Sequence, residues 1–294
     1  MVTWLERGDL RLGLVPELGG RLLSVRHRGV ELLWRNADLL DDALNLRAGG
    51  VFRPNSGRMG DWVNYGGDKT WPAPQGWSGP DEWPGPPDPV LDSGPYLAYT
   101  GDDLVTMVSR ADPRTGLKFS RTVALTDDGY ELRLSASNTA DRPIRWALWN
   151  VTQLPGGGSI TAGLSRPDVV ALVAGTGTPE YTVDGDRLVV PAQDVVGKLG
   201  VPGTAGWVTY GPLTLSFDVD PAGEYPDEGS PLEIWLEHPL PEPLAALGDL
   251  DPPARIVELE VLGPLTTLEP GEKTGLLIRA AIREDGVCPS PSEA

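Results

Sequence analysis

The residues best suited to chemistry in this chain of 294 amino acids are a few carboxylates, amines and indoles. Asn64 to Gln75 reads Asn-Tyr-Gly-Gly-Asp-Lys-Thr-Trp-Pro-Ala-Pro-Gln and concentrates Asn64, Asp68, Lys69, Trp71 and Gln75 in one short run. An acid, an amine, an amide and an indole held together suit a polar ligand with an apolar face, and a sugar ring is the common case. From Leu232 to His238, Glu233, Trp235 and Glu237 share one parity, so two carboxylates flank an indole on one strand face. From Arg255 to Leu262, Glu258 and Glu260 stand opposite Val257, Leu259 and Val261. Either glutamate is a candidate general base, a role that takes a pKa near the working pH.

Lys198 lies between Gly197 and Leu199-Gly200, where a close turn leaves its amine projecting. Arg121 falls on the apolar parity of Leu117, Phe119, Val123 and Leu125. A buried guanidinium is expensive unless paired, so Arg121 needs an acidic partner or a ligand, the structural pair being the commoner outcome. Arg58, Lys69 and Arg121 would together suit an anionic sugar by residue type. Trp149 precedes Asn150, Thr152 and Gln153, which put hydrogen-bonding groups at the end of a strand. Only His27 and His238 are available as imidazoles; His27 reads as an exposed edge residue, which leaves His238 as the acid-base candidate. Each feature also has a plain structural reading: a long connection, a charged outer face, a solvated lysine.

The elements that must position these groups are short strands. Leu10 to Val15, Arg21 to His27 and Val30 to Trp34 have strand-turn-strand spacing around Gly19-Gly20 and Gly29. Asp38 to Arg47 suggests one or two helical turns. Between Arg53 and Pro95, glycine, proline, tryptophan and aspartate crowd out the alternating pattern. There Gly66-Gly67 allows positive φ, while Pro72 and Pro74 restrict their neighbours. The expectation is a stiff loop over the site, neither strand nor helix, with Trp62, Trp71, Trp77 and Trp83 supplying apolar surface to pack. Strand patterns resume at Leu104 to Ser109, Leu117 to Leu125, Tyr130 to Ser137 and Ile144 to Thr152, with Trp146 and Trp149 on opposite faces. Nothing from Ile160 to Val219 suggests a helix, and Thr274 to Ile282 forms a last strand. The whole describes one all-β domain over residues 1–284, as in a sandwich or barrel, and a flexible tail over 285–294.

The net charge of -18 opposes nucleic acid and anionic membrane surfaces as partners, because both attract clustered lysine and arginine. Neither a secretory leader nor a membrane-spanning run is evident, so a cytoplasmic location is expected. The single cysteine, Cys288, excludes an intramolecular disulfide framework and a cysteine-based zinc site. No phosphate loop, dinucleotide fingerprint or metal-binding spacing is present, so neither cofactor nor metal is expected. Asp218, Asp220, Glu224, Asp227 and Glu228 lack the spacing of a calcium loop. Flat sandwich edges often pair, so the chain is expected as a monomer or homodimer.

Four stretches in order carry a resemblance. They are Val15-Pro16-Glu17-Leu18-Gly19-Gly20-Arg21, Gly66-Gly67-Asp68-Lys69-Thr70-Trp71-Pro72-Ala73-Pro74-Gln75, Ser137-Asn138, and Glu258-Leu259-Glu260 running on to Leu268-Glu269-Pro270-Gly271-Glu272. Over nearly its whole length the chain resembles the galactose mutarotase-like superfamily of aldose epimerases and related carbohydrate-binding proteins, in a bacterial branch that shares the second stretch. The resemblance implies a large antiparallel β-supersandwich and interconversion of sugar anomers, with a glutamate as base and a histidine protonating the ring oxygen. The glutamate maps to Glu258 or Glu260. The histidine maps to the strand holding Trp149, Asn150 and Thr152, which has none, so Lys69, Lys198 or His238 would have to replace it. The alternative is a catalytically silent carbohydrate-binding or sensing protein. In either case the ligand would be a monosaccharide or derivative.

Overall fold

Residues alternating between apolar and polar types need two surfaces, and the chain meets that need with two stacked sheets. The structure, a computed structural model, describes residues 2–55, 62–75 and 88–283. In chain order its strands are β1 (Thr3–Arg7), β2 (Leu10–Val15), β3 (Arg21–His27), β4 (Val30–Glu31), β5 (Asp68–Ala73), β6 (Leu97–Thr100) and β7 (Leu104–Val108). There follow β8 (Leu117–Leu125), β9 (Gly129–Asn138), β10 (Ile144–Pro155), β11 (Ile160–Leu164), β12 (Val170–Ala174), β13 (Thr182–Asp184) and β14 (Arg187–Val190). The last are β15 (Gly197–Gly200), β16 (Thr204–Tyr210), β17 (Leu213–Phe217), β18 (Leu232–Glu237), β19 (Ile256–Leu262), β20 (Thr266–Leu268) and β21 (Lys273–Ile282).

One sheet has eleven strands, ordered β1-β2-β3-β5-β10-β19-β18-β15-β12, with β4 added to β3 and β20 to β10. The other has ten, ordered β13-β14-β11-β16-β17-β21-β9-β8-β7-β6. All these pairings are antiparallel. The expected all-β supersandwich is the fold. Its core lies between the sheets, where Leu117, Phe119 and Val123 of β8 meet the side of the larger sheet that carries Leu148, Leu232, Ile234, Leu259 and Val261, all buried. One parity of the central strands is consumed in this way, and the larger sheet's other face is left for the site.

Two sequence expectations fail here. Asp38 to Arg47 is not helical; it is a looped excursion closed by a bridge between Leu40 and Leu46. The Asp41 carboxylate accepts from the Ala43 and Asn45 backbone N–H groups and from the Asn45 amide, which satisfies locally the donors that a helix would bond to its own carbonyls.

The larger correction concerns Asn64 to Gln75. Asp68–Ala73 is not a loop roofing the site but a central strand of the larger sheet, between β10 and β3. Pro72 is tolerated because of register. It lies opposite Leu148 of β10, whose carbonyl accepts from Gly263 on the other side at 2.8 Å, while Gln153 N–H donates to Gly67. The ladder between β5 and β10 therefore bonds through Gly67 and alternate residues after it, and it asks nothing of Pro72. On its other edge β5 pairs with β3 only at Asp68. Gly67, at φ +81, turns the chain into this strand; a Cβ there would stand 2.5 Å from the Leu22 carbonyl oxygen. Arg58, Trp77, Trp83 and the expected flexible tail over 285–294 lie outside the described residues.

Candidate functional site

Strand β5 divides the predicted site residues between its two faces. Asp68 and Thr70 point between the sheets. There Asp68 and Arg121, each fully buried, form an ion pair, and the other Asp68 oxygen accepts from Asn150 Nδ2 and Thr152 Oγ1, both at 2.7 Å. Thr70 Oγ1 completes the cluster by donating to Asn150 at 2.9 Å. Asp68 and Arg121, anticipated as possible sugar contacts, thus form the structural pair, because inward parity places both inside the sandwich.

The opposite face gathers the others. Register sets Lys69 beside Val151, Val151 beside Glu260, and Glu260 beside Glu233. The next row runs from Gln153 through Glu258 and Trp235 to Lys198. Trp71 stands opposite Trp149, and their rings meet edge to face with centroids 5.2 Å apart. Five strands, β5, β10, β19, β18 and β15, therefore place Lys69, Trp71, Trp149, Lys198, Glu233, Trp235, Glu258 and Glu260 on one surface.

The site's electrostatics are asymmetric. Lys198 Nζ bridges Glu233 Oε2 at 2.8 Å and Glu260 Oε2 at 2.7 Å and lies 4.7 Å from the Trp149 ring centre. Trp149 Nε1 also donates to Glu260 Oε2, at 2.6 Å. Burial by itself would lower the Lys198 amine, but the two carboxylates outweigh it and hold the pKa well above that of free lysine. Lys69 is the reverse case. It is buried, 4.6 Å from the Trp71 ring centre and 3.6 Å from Glu258 Oε1, and its Nζ has no hydrogen-bond acceptor. Burial lowers its pKa, with Glu258 only partly opposing. Glu258 keeps more exposure than the other carboxylates and accepts from Gln153 Nε2 at 2.5 Å. Glu233 and Glu260 are both pushed upward by burial.

Burial, then the nearby Glu258 charge, raises Glu237 to about 8. Its carboxyl accepts from Trp235 Nε1 at 3.0 Å. A carboxyl that stays protonated in the folded chain while it ionises in the unfolded one stabilises most below its ordinary pKa of 4.5, and that contribution is lost as pH rises through about 8. A Glu237→Gln variant should therefore gain stability relative to the parent as pH is raised across that window. Paired urea titrations at several pH values check this, and a constant difference would show that Glu237 is ionised when folded.

Four further residues belong to this surface or its border. Gln153 shares the parity of Trp149, and Glu237 that of Glu233, so both were open to strand alternation. Arg21 and Asp92 form a fully buried pair at 2.6 Å, and Trp71 Nε1 donates to the same Asp92 oxygen at 3.0 Å; no local pattern joins residues so distant in sequence. Asn64 instead shapes the turn before β5, its side-chain oxygen accepting from Gly66 N–H at 3.1 Å. Gln75 is exposed beyond the strand's end. His238 lies just past the end of β18, outside the register that assembles the carboxylates. Among the described residues no group of three or more His, Cys, Asp or Glu is placed to hold a metal, and no helix is long and apolar enough to cross a membrane.

Comparison with solved structures defines the class: this is the galactose mutarotase-like fold. A galactose mutarotase-like protein from Lactobacillus casei superposes with a TM-score of 0.60 at 14% identity, covering 96% of this chain and 100% of its own. A galactose mutarotase related enzyme from Lactobacillus acidophilus gives 0.52 at 10% identity, over 97% and 99% of the two chains. A galactose mutarotase-like protein from Clostridium acetobutylicum gives 0.51 at 12%, over 95% and 94%. Within that class the chain belongs to the family described as domain of unknown function DUF4380, whose model matches residues 3–276. Among curated proteins, none matches the sequence.

Proposed function

We propose that the carboxylate face of the larger sheet binds a monosaccharide or close derivative and interconverts its anomers, with Glu258 as base and Lys69 as acid. The observation that carries this reading is the buried Lys69 ammonium, without a hydrogen-bond acceptor and 3.6 Å from Glu258. Glu258 would take the proton of the anomeric hydroxyl while Lys69 protonates the ring oxygen. The bond from the anomeric carbon to the ring oxygen then breaks, leaving an open-chain aldehyde. Rotation about the adjacent carbon–carbon bond and reversal of both proton transfers give the other anomer. Lys69 suits the acid role because burial brings its pKa toward the working range, whereas Lys198 is held protonated by two carboxylates. Half-buried Trp235 offers an indole against which a sugar ring can stack.

The test is a thermal-shift screen of hexoses, pentoses and their derivatives, since a ligand of the native state raises the melting temperature. NMR exchange spectroscopy on each hit then compares anomer interconversion with and without protein. Acceleration over buffer is expected; if no sugar shifts the melting temperature at high concentration, the site reading falls.

A second reading, a carbohydrate-binding or sensing protein without catalysis, is favoured by one observation. On β10, where the resemblance implies a histidine, Asn150 and Thr152 turn inward to Asp68 instead. Binding without acceleration would select it.

A further inference from the structure

We propose that the sugar taken by this face is cationic, an amino sugar in its protonated form, in preference to the neutral sugar of the same shape and to the exclusion of sugar phosphates and uronic acids. The inference rests on the sugar-site reading above and adds the ligand's charge. The site is short of positive charge. With the Arg21–Asp92 pair set aside as mutually neutralising and Glu237 as protonated, Glu233, Glu258 and Glu260 face only Lys69 and Lys198. Either a further proton or a ligand must supply what is missing, and a ligand ammonium does so with Glu233, Glu258 and Glu260 all ionised.

The unfilled hydrogen-bonding positions point the same way. Glu233 Oε1, Glu260 Oε1 and Gln153 Oε1 are buried acceptors with no donor, against two unfilled donors on the face or its border, Lys69 Nζ and Arg21 Nε. A ligand that fills them must therefore bring more donors than acceptors. An ammonium brings three and no acceptor, whereas a phosphate or carboxylate brings acceptors alone. The cations able to hold an anion are already engaged. Arg121 is paired inside the sandwich, Arg21 is held by Asp92, and Lys198 lies between two glutamates. Lys69 faces Glu258, so an anion approaching it also approaches a carboxylate. The net charge of -18 adds a long-range field that attracts cations and repels anions.

The experiment is isothermal titration of the unmodified full chain at neutral pH and low salt. The probes are 2-amino-2-deoxyhexoses of the gluco, galacto and manno series, each beside its parent hexose, N-acetyl derivative, 6-phosphate and uronic acid. At least one amino sugar should bind about tenfold or more tighter than both its parent and its N-acetyl form, the size expected of one added charge contact. The margin should narrow with added salt, because screening weakens it. Parent or N-acetyl sugars binding as tightly as the amine, or acidic sugars binding best, would overturn the inference while leaving a sugar site in place. If no sugar of any class binds, the inference and the sugar-site reading fall together.

Discussion

Replacing Arg121 by methionine should lower folding stability by about 3–5 kcal/mol, the usual cost of removing one partner from a buried ion pair. Asp68 and Arg121 are both fully buried between the sheets, and the variant leaves the Asp68 carboxylate in that interior with only its Asn150 and Thr152 donors. Urea denaturation measures the loss as a lower midpoint at unchanged slope. Adding Asp68→Asn should recover part of it, because the orphaned charge is removed along with its partner. If Arg121→Met keeps the parent's stability but no longer binds sugar, the guanidinium contacts ligand after all and the interior assignment is wrong.

The largest effect on activity should come from Glu258→Gln. The amide keeps the size of the side chain and can still meet Gln153, yet it cannot take a proton. Anomer exchange measured by NMR should fall about 10²–10⁴-fold, the range of a lost general base, while the same sugar still binds. Glu260→Gln offers the contrast. Glu260 is fully buried and ties Lys198 to Trp149, so its loss should appear as lower stability and weaker binding more than as a slower exchange step. An unchanged exchange rate in Glu258→Gln would remove Glu258 as base and leave the non-catalytic reading in possession of the site.

Much of this surface was legible from alternation. The pairings Glu258 with Glu260 and Glu233 with Trp235 follow from a side-chain period of two, and so does the inward position of Arg121. What alternation leaves open is the difference between residues on one face. Glu258 and Glu260 are equivalent in sequence terms, and they part only because β15 brings Lys198 to Glu260 while β5 brings Lys69 to Glu258. Proline and glycine misled at Asn64 to Gln75, since their local preference for turns is overridden where register leaves Pro72 outside the hydrogen-bond ladder. His238 was a candidate by imidazole chemistry alone, and it lies just past the end of β18, outside the register that assembles the carboxylates.

By itself, then, the sequence determined that this is an all-β chain, which residues of each strand share a face, and that a buried guanidinium needs an acidic partner or a ligand. Those properties depend on neighbours two positions apart and on the cost of burying charge, both of which are local. Only the tertiary structure decided that Asp68 is the partner of Arg121, that Lys198 is clamped while Lys69 is not, and that a proline-flanked run lies at the centre of a sheet. Each of these depends on which strand lies beside which, and in an antiparallel sandwich that order is set by the packing of two whole sheets rather than by any single segment.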